Sequence, residues 1–155
     1  MNIVIKRLDP DRVAEGLAQM GGAPDDLREW LAEIDARYAP PGGCFLLAAD
    51  WNPPPGEPLL LAASGAFRRI SPEICEVRRL LVKKAFQGHG LGKLMMRALT
   101  DQARAAGYTR MRAEAPAAIP ALVSFYKREG FKEVSAFRVA TLEELEGRVF
   151  LERPL

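Results

Sequence analysis

Residues 74–93 read ICEVRRLLVKKAFQGHGLGK, and the rest of the chain is arranged around them. Ile74 to Val82 is an apolar, β-prone run. A short turn follows, and then Gly88, Gly90 and Gly92 occupy every second position of a loop that opens directly onto a helix-period pattern. The unpaired N–H groups at a helix start attract anions. The stretch therefore predicts a phosphate-bearing ligand held between Gln87 and Lys93, its reactive end positioned by the preceding strand. Other phosphate loops fit less well. The glycine spacing is not that of Gly-x-Gly-x-x-Gly, and Lys93 is followed by Leu94 rather than the Ser or Thr of a P-loop.

Downstream, Leu91, Leu94, Met95, Ala98, Leu99, Gln102 and Ala103 share one face of an amphipathic helix. Gly107 stands at its C-terminal end. Tyr108 to Ala115 alternates and reads as a strand returning beside Ile74–Val82. That crossover implies a parallel pair. Ala117 to Glu129 is a further helix closed by Gly130, with Phe131 covering its end. Val134–Val139 and the short Val149–Leu151 are strands. Leu142–Glu146 is a turn of helix or a loop.

Upstream, Ile3–Leu8 alternates as a first strand. Asp9 and Pro10 start a helix bearing Val13, Leu17 and Met20, and Gly21 and Gly22 end it. A second helix from Asp25 or Asp26 carries Leu27, Leu31, Ile34 and Tyr38, until the run from Pro40 to Gly43 breaks it. Cys44–Ala49 and Pro58–Arg69 form a hairpin across a proline-rich turn. With Ile74–Val82 they make an antiparallel meander.

The chain has 155 residues, enough for one core, and neither a repeat nor a long linker divides it, so one domain over residues 1–155 is expected. Hydrophobic residues are 48% and charged residues 27%, the balance of a folded soluble chain. A net charge of +2 without a basic aromatic stripe argues against nucleic acid. The two cysteines, Cys44 and Cys75, lie in apolar runs, and a lone histidine leaves no metal cluster to propose. No apolar run reaches membrane-spanning length, and the N-terminal stretch lacks a signal-peptide core, so a cytoplasmic protein with no membrane partner is expected. Ser64 and Ser124 have no nearby His/Asp pair, which gives a serine hydrolase no support.

Three stretches in order resemble the GCN5-related N-acetyltransferase (GNAT) family. Gln87, Gly90 and Gly92 fill its Arg/Gln-x-x-Gly-x-Gly/Ala loop. Leu80, Leu81 and Val82 stand where the family strand often ends Leu-Tyr-Val. Phe125, Tyr126, Gly130 and Phe131 match its Leu-Tyr-x-x-x-Gly-Phe helix end. The match covers roughly Ile74 to Val134. Lys84 replaces a common proline, Leu81 the tyrosine, and Ile119 the pantetheine-binding asparagine of many members.

The resemblance implies an α/β (α+β) acyl-CoA N-acyltransferase fold. Its sheet is mixed and mostly antiparallel, with one parallel pair splayed around CoA and about four flanking helices. It also implies acetyl-CoA as co-substrate, with no metal. The pyrophosphate would lie on Gln87, Gly88, His89, Gly90, Leu91, Gly92 and Lys93. The pantetheine arm would run along Leu80, Leu81 and Val82 beside Phe125, and a bulge would aim a backbone N–H near Leu81 or Val82 at the thioester oxygen. Glu76 matches a position often held by a base, and it also reads as an ion-pair partner of Arg78. Tyr126 matches the general acid, and it also reads as a core tyrosine. His89, at the pyrophosphate end, is too far from the thioester to attract a catalytic role. Trp30, Tyr38 and Trp51 line an acceptor pocket or pack as ordinary core. The expected activity is acetyl transfer to a primary amine by direct attack in a ternary complex. The alternative is a CoA-binding sensor without turnover. Family members are often homodimers.

Overall fold

The strand that leads into the glycine loop is the fourth of a seven-stranded sheet of order β1-β2-β3-β4-β5-β7-β6. The computed structural model describes residues 2–7, 37–57 and 60–155. Its strands are β1 (Ile3–Arg7), β2 (Cys44–Asp50), β3 (Leu60–Arg69), β4 (Ile74–Val82), β5 (Arg110–Pro116), β6 (Lys132–Val134) and β7 (Arg148–Pro154). The described helices are α1 (Leu91–Ala105), α2 (Pro120–Arg128) and α3 (Leu142–Glu146), with a 3-10 turn at Lys84–Phe86. The two helices expected between Pro10 and Tyr38 lie outside the described residues, except that Arg37 and Tyr38 are helical.

β2 to β4 form the expected antiparallel meander, β1 adds antiparallel to β2, and β4 pairs with β5 in parallel across the α1 crossover. On one face, α1 buries Met95, Met96, Leu99 and Ala103 against Cys44, Phe67, Cys75 and Val77 of the sheet and Met111, Ala113 and Ala115 of β5. Gly65 permits this contact. A Cβ there would lie 2.9 Å from both Leu99 Cδ1 and Met95 Cγ, closer than carbon atoms tolerate. On the opposite face, Tyr38, Phe45, Leu47, Ala49, Leu61 and Ala66 form a second cluster, with Trp51 packed on it. Burial pushes the Cys75 thiol up to about 12 and Cys44 up to about 11, so both behave as small apolar side chains.

Both long helices end in the same device. In α1 the N–H of Tyr108 reaches Ala103 O and that of Gly107 reaches Arg104 O. In α2 the N–H of Phe131 reaches Tyr126 O at 3.0 Å and that of Gly130 reaches Lys127 O at 3.1 Å. Gly107 and Gly130 take φ of +92° and +93°, the left-handed residue this double bond requires.

The C-terminal third departs from the sequence reading. The strand expected at Val134–Val139 is Lys132–Val134, paired only with Phe150 to Glu152. Beyond it the chain leaves the sheet because its side chains find other anchors. Phe137 packs edge-on against Phe150 with centroids 4.9 Å apart, and Arg138 binds Glu114. Leu142–Glu146 is helical, started by a reciprocal capping box between Thr141 and Glu144. β7 is longer than expected, because it lies between β5 and β6 and pairs with both.

Candidate active site

The β4–β5 pair comes apart halfway along. Its parallel register holds only for Ile74 with Arg110, Cys75 with Met111 and Glu76 with Arg112. On the other edge of β4, Ala66 faces Arg78 while Ser64 faces Leu81, so β4 carries one extra residue there. Arg79 is that bulge, with φ of +55°, the one left-handed non-glycine among the described residues. The bulge bends β4 away from β5. Lys83 N–H still bonds Ala62 O at 2.9 Å, so strand alternation turns the peptide groups of Val82 toward the opened edge.

The loop lies at the end of this opening. Gly88 and Gly90 have φ of +82° and +78°, and a Cβ at either meets nothing within 4 Å. Backbone conformation, not space, is what asks for glycine at both. Gly90 is the N-cap of α1, with no side-chain cap. The first-turn N–H groups of Leu91, Gly92 and Lys93 therefore face outward at the positive end of the helix dipole. A Cβ on Gly92 would sit at ordinary contact, 3.5 Å from Phe125 and 3.6 Å from Val82. That position tolerates a small residue, as Gly/Ala in the motif implies.

Val82, Gln87, Gly88, Gly90, Leu91, Gly92, Lys93 and Phe125 come together as one cleft of about 610 Å³. Phe86, Arg128 and Glu129 complete it. These three carry no motif signal. Arg128 and Glu129 could have been found only by noting that they follow Phe125 by three and four residues on one helix face. Gln87 also has a bracing role, its amide donating to Val82 O at 3.0 Å and holding the loop against the strand end. Leu80 packs partly buried on the core, whereas Leu81 is 61% exposed. His89 lines a separate groove with Ile3, Ala85, Phe86, Leu91 and Leu94.

Tyr126 follows Phe125 and is 4% exposed, its ring edge-on to Phe125 and Phe131 at 5.7 and 5.1 Å. The Phe131 contact is the apolar partner of the helix-ending hydrogen bonds, so the Tyr-x-x-x-Gly-Phe spacing has a local folding cause. Burial pushes the phenol up to about 12, against the pull of Arg78 and with the push of Glu76. Glu76 is buried on the opposite face of the sheet, 3% exposed. Its Oε1 lies 2.5 Å from Arg78 Nε and 3.4 Å from Arg68 Nη2. Trp51 Nε1 donates to Val4 O at 2.7 Å, and with Tyr38 it packs in the second apolar cluster, while Trp30 lies outside the described residues.

The Acetyltransferase (GNAT) family matches residues 12–131. The chain belongs to that family. Over 107 residues it is 30% identical to an uncharacterized N-acetyltransferase of Schizosaccharomyces pombe, covering 69% of this chain and 63% of the relative. The matches span from about a third to under two thirds of the length of the curated relatives. Among solved structures, a Klebsiella pneumoniae protein named as an acyl-CoA N-acyltransferase is 25% identical with a TM-score of 0.69, covering 99% of this chain and 97% of its own. The PaiA N-acetyltransferase of Thermoplasma acidophilum, solved with coenzyme A, shares the fold at 16% identity and a TM-score of 0.69 over 100% of both chains. The mixed sheet with its parallel central pair is the family fold that the motif resemblance implied. Among the described residues no group of side chains could hold a metal ion, and no helix is long and apolar enough to cross a membrane.

Proposed function

We propose that the protein transfers the acetyl group of acetyl-CoA to a primary amine by direct attack in a ternary complex. The observation that carries this reading is the parting of β4 from β5 after Glu76, at a bulge, beside a glycine-turned helix start. An amide-rich pantetheine arm needs an unpaired strand edge, and a pyrophosphate needs a ring of N–H donors. Here the two needs meet in one cleft, and Lys93 and Arg128 add positive charge to it.

In this reading the peptide N–H of Val82 faces the thioester oxygen and stabilises the charge that develops there. The amine attacks the carbonyl carbon, the C–S bond breaks, and CoA leaves as thiolate. Glu76 takes the ammonium proton, through water because its carboxylate is buried in ion pairs. Tyr126, held protonated by its burial, supplies a proton to the departing sulfur, and the second proton, shed by the newly acylated nitrogen, returns to the phenolate.

Acetyl-CoA consumption across amines, peptides and amino acids tests the reading, with CoA affinity measured alongside. Turnover on any amine supports it. Tight CoA binding without turnover on the whole set would instead make the protein a CoA-binding module.

A further inference from the structure

On the face of the sheet that carries Glu76, a second cleft of about 430 Å³ is lined by Arg78, Glu114, Arg138, Glu144 and Arg148. It begins where the sheet opens. Arg78 and Glu114 each lie two residues beyond the last parallel pair, Glu76 with Arg112, and so share its face. Glu114 forms its floor, with a side chain only 4% exposed. Arg138 grips Glu114 with Nε and Nη2, at 2.9 and 2.6 Å, and Arg148 adds Nε at 2.8 Å. These bonds fix both guanidinium planes and leave Nη1 of Arg138 and both Nη atoms of Arg148 outside them. Arg78 likewise spends Nε on Glu76. The Glu144 carboxylate accepts from Thr141 N–H in the helix cap, at 3.3 Å. Arg78 is thus matched by Glu76, Arg138 and Arg148 share the one carboxylate of Glu114, and Glu144 is engaged in the helix cap. What the cleft offers a ligand is a preset fork of N–H donors from two arginines that share a single carboxylate, which suits a planar monoanion.

We infer that the acceptor carries a carboxylate beside its amine, as an amino acid does. Arg138 and Arg148 hold the carboxylate and so direct the amine toward the opened sheet. Arg78 spans the distance, pairing with Glu76 at one end and lining the cleft at the other. The inference rests on the acetyl-transfer reading, since it places the acceptor opposite the CoA cleft.

The test is calorimetric binding of N-acetyl amino acids, and of the matching N-acetyl amino amides, to the CoA-saturated protein. The carboxylates should bind about tenfold or more tighter than the amides, as a charge-assisted fork predicts. Arg138→Gln and Arg148→Gln should bring the two series level while CoA affinity stays unchanged. Equal affinity of the two series for the unaltered protein, or no binding of either, overturns the inference, and neither result depends on a variant folding. A parallel assay of CoA thiol release separates the two readings. Selective carboxylate binding without release would sink the transfer reaction and leave the cleft assignment standing. Release with neutral amines alone would do the reverse.

Discussion

The hydroxyl of Ser64 donates to the main-chain carbonyl of Arg79 at 2.8 Å, tying β3 to the residue that bulges out of β4. A bulge removes a carbonyl from the sheet ladder, and Ser64 supplies the missing donor. Ser64→Ala should cost about 1 kcal/mol in urea unfolding, the net value of one such bond. It should also raise the KM for acetyl-CoA, because the edge presented to the pantetheine arm loses its tie. A variant with unchanged stability and KM would show that the bulge holds without it.

Arg79 adopts φ of +55°, where side chains with a Cβ are strained. Arg79→Gly and Arg79→Val both remove the guanidinium arm, so their difference reads chiefly the cost of a branched Cβ at this φ. The glycine variant should be more stable by about 1–2 kcal/mol, since left-handed geometry disfavours a Cβ by that amount and a β-branched one most. Equal denaturation midpoints would mean that the bulge relaxes to another conformation.

Gly90 turns the chain into α1 at φ of +78°. Gly90→Ala should destabilise by about 1 kcal/mol through backbone strain alone, since no atom lies within 4 Å of the added Cβ. Gly90→Glu should do more, abolishing CoA binding by placing a carboxylate at the pyrophosphate. Retained CoA affinity in a calorimeter would remove the loop assignment.

Tyr126→Phe keeps the ring contacts with Phe125 and Phe131 and deletes only the hydroxyl. Turnover should fall by about a hundredfold, the usual scale of general acid catalysis, with little change in CoA affinity. Because burial raises the phenol to about 12, the unaltered protein should show no loss of kcat near pH 10 from this group. A tyrosine-dependent fall centred at pH 10 would contradict the buried placement.

Glu114 answers to acid. The guanidinium groups of Arg138 and Arg148 lower its carboxyl to about 2 from an ordinary 4.5. A depressed carboxyl stabilises the fold above its unfolded value and loses that contribution as pH falls through the folded one. Stability should therefore decline between about pH 4.5 and pH 2, by an amount on the order of 3 kcal/mol for this group. Glu114→Gln should flatten that part of the pH profile and loosen both arginines. An unchanged acid limb in denaturation curves would argue against the pairing.

Much of this was legible between residues 74 and 131, because close-range physics writes itself into local patterns. Glycine at Gly88 and Gly90 answers to backbone conformation. The apolar spacing of α1 answers to one buried face. The Tyr-x-x-x-Gly-Phe ending of α2 answers to a helix cap and the ring that covers it. The expected strand at Val134–Val139 fails beyond Val134 for the opposite reason. Its alternation is strand-like, but Phe137 and Arg138 leave the sheet for Phe150 and Glu114, partners with no trace in the local pattern.

By itself, then, the amino-acid sequence determined the family loop, the helix after it and the meander that leads into it, all set by segments that follow one another in the chain. Only the tertiary structure decided where the sheet parts, that Arg79 makes the bulge, and that Arg78, Glu114, Arg138 and Arg148 meet in one cleft. Those are relations between charges and peptide groups from distant segments. A carboxylate 4% exposed on β5 becomes an anchor only once two arginines from later in the chain fold over it.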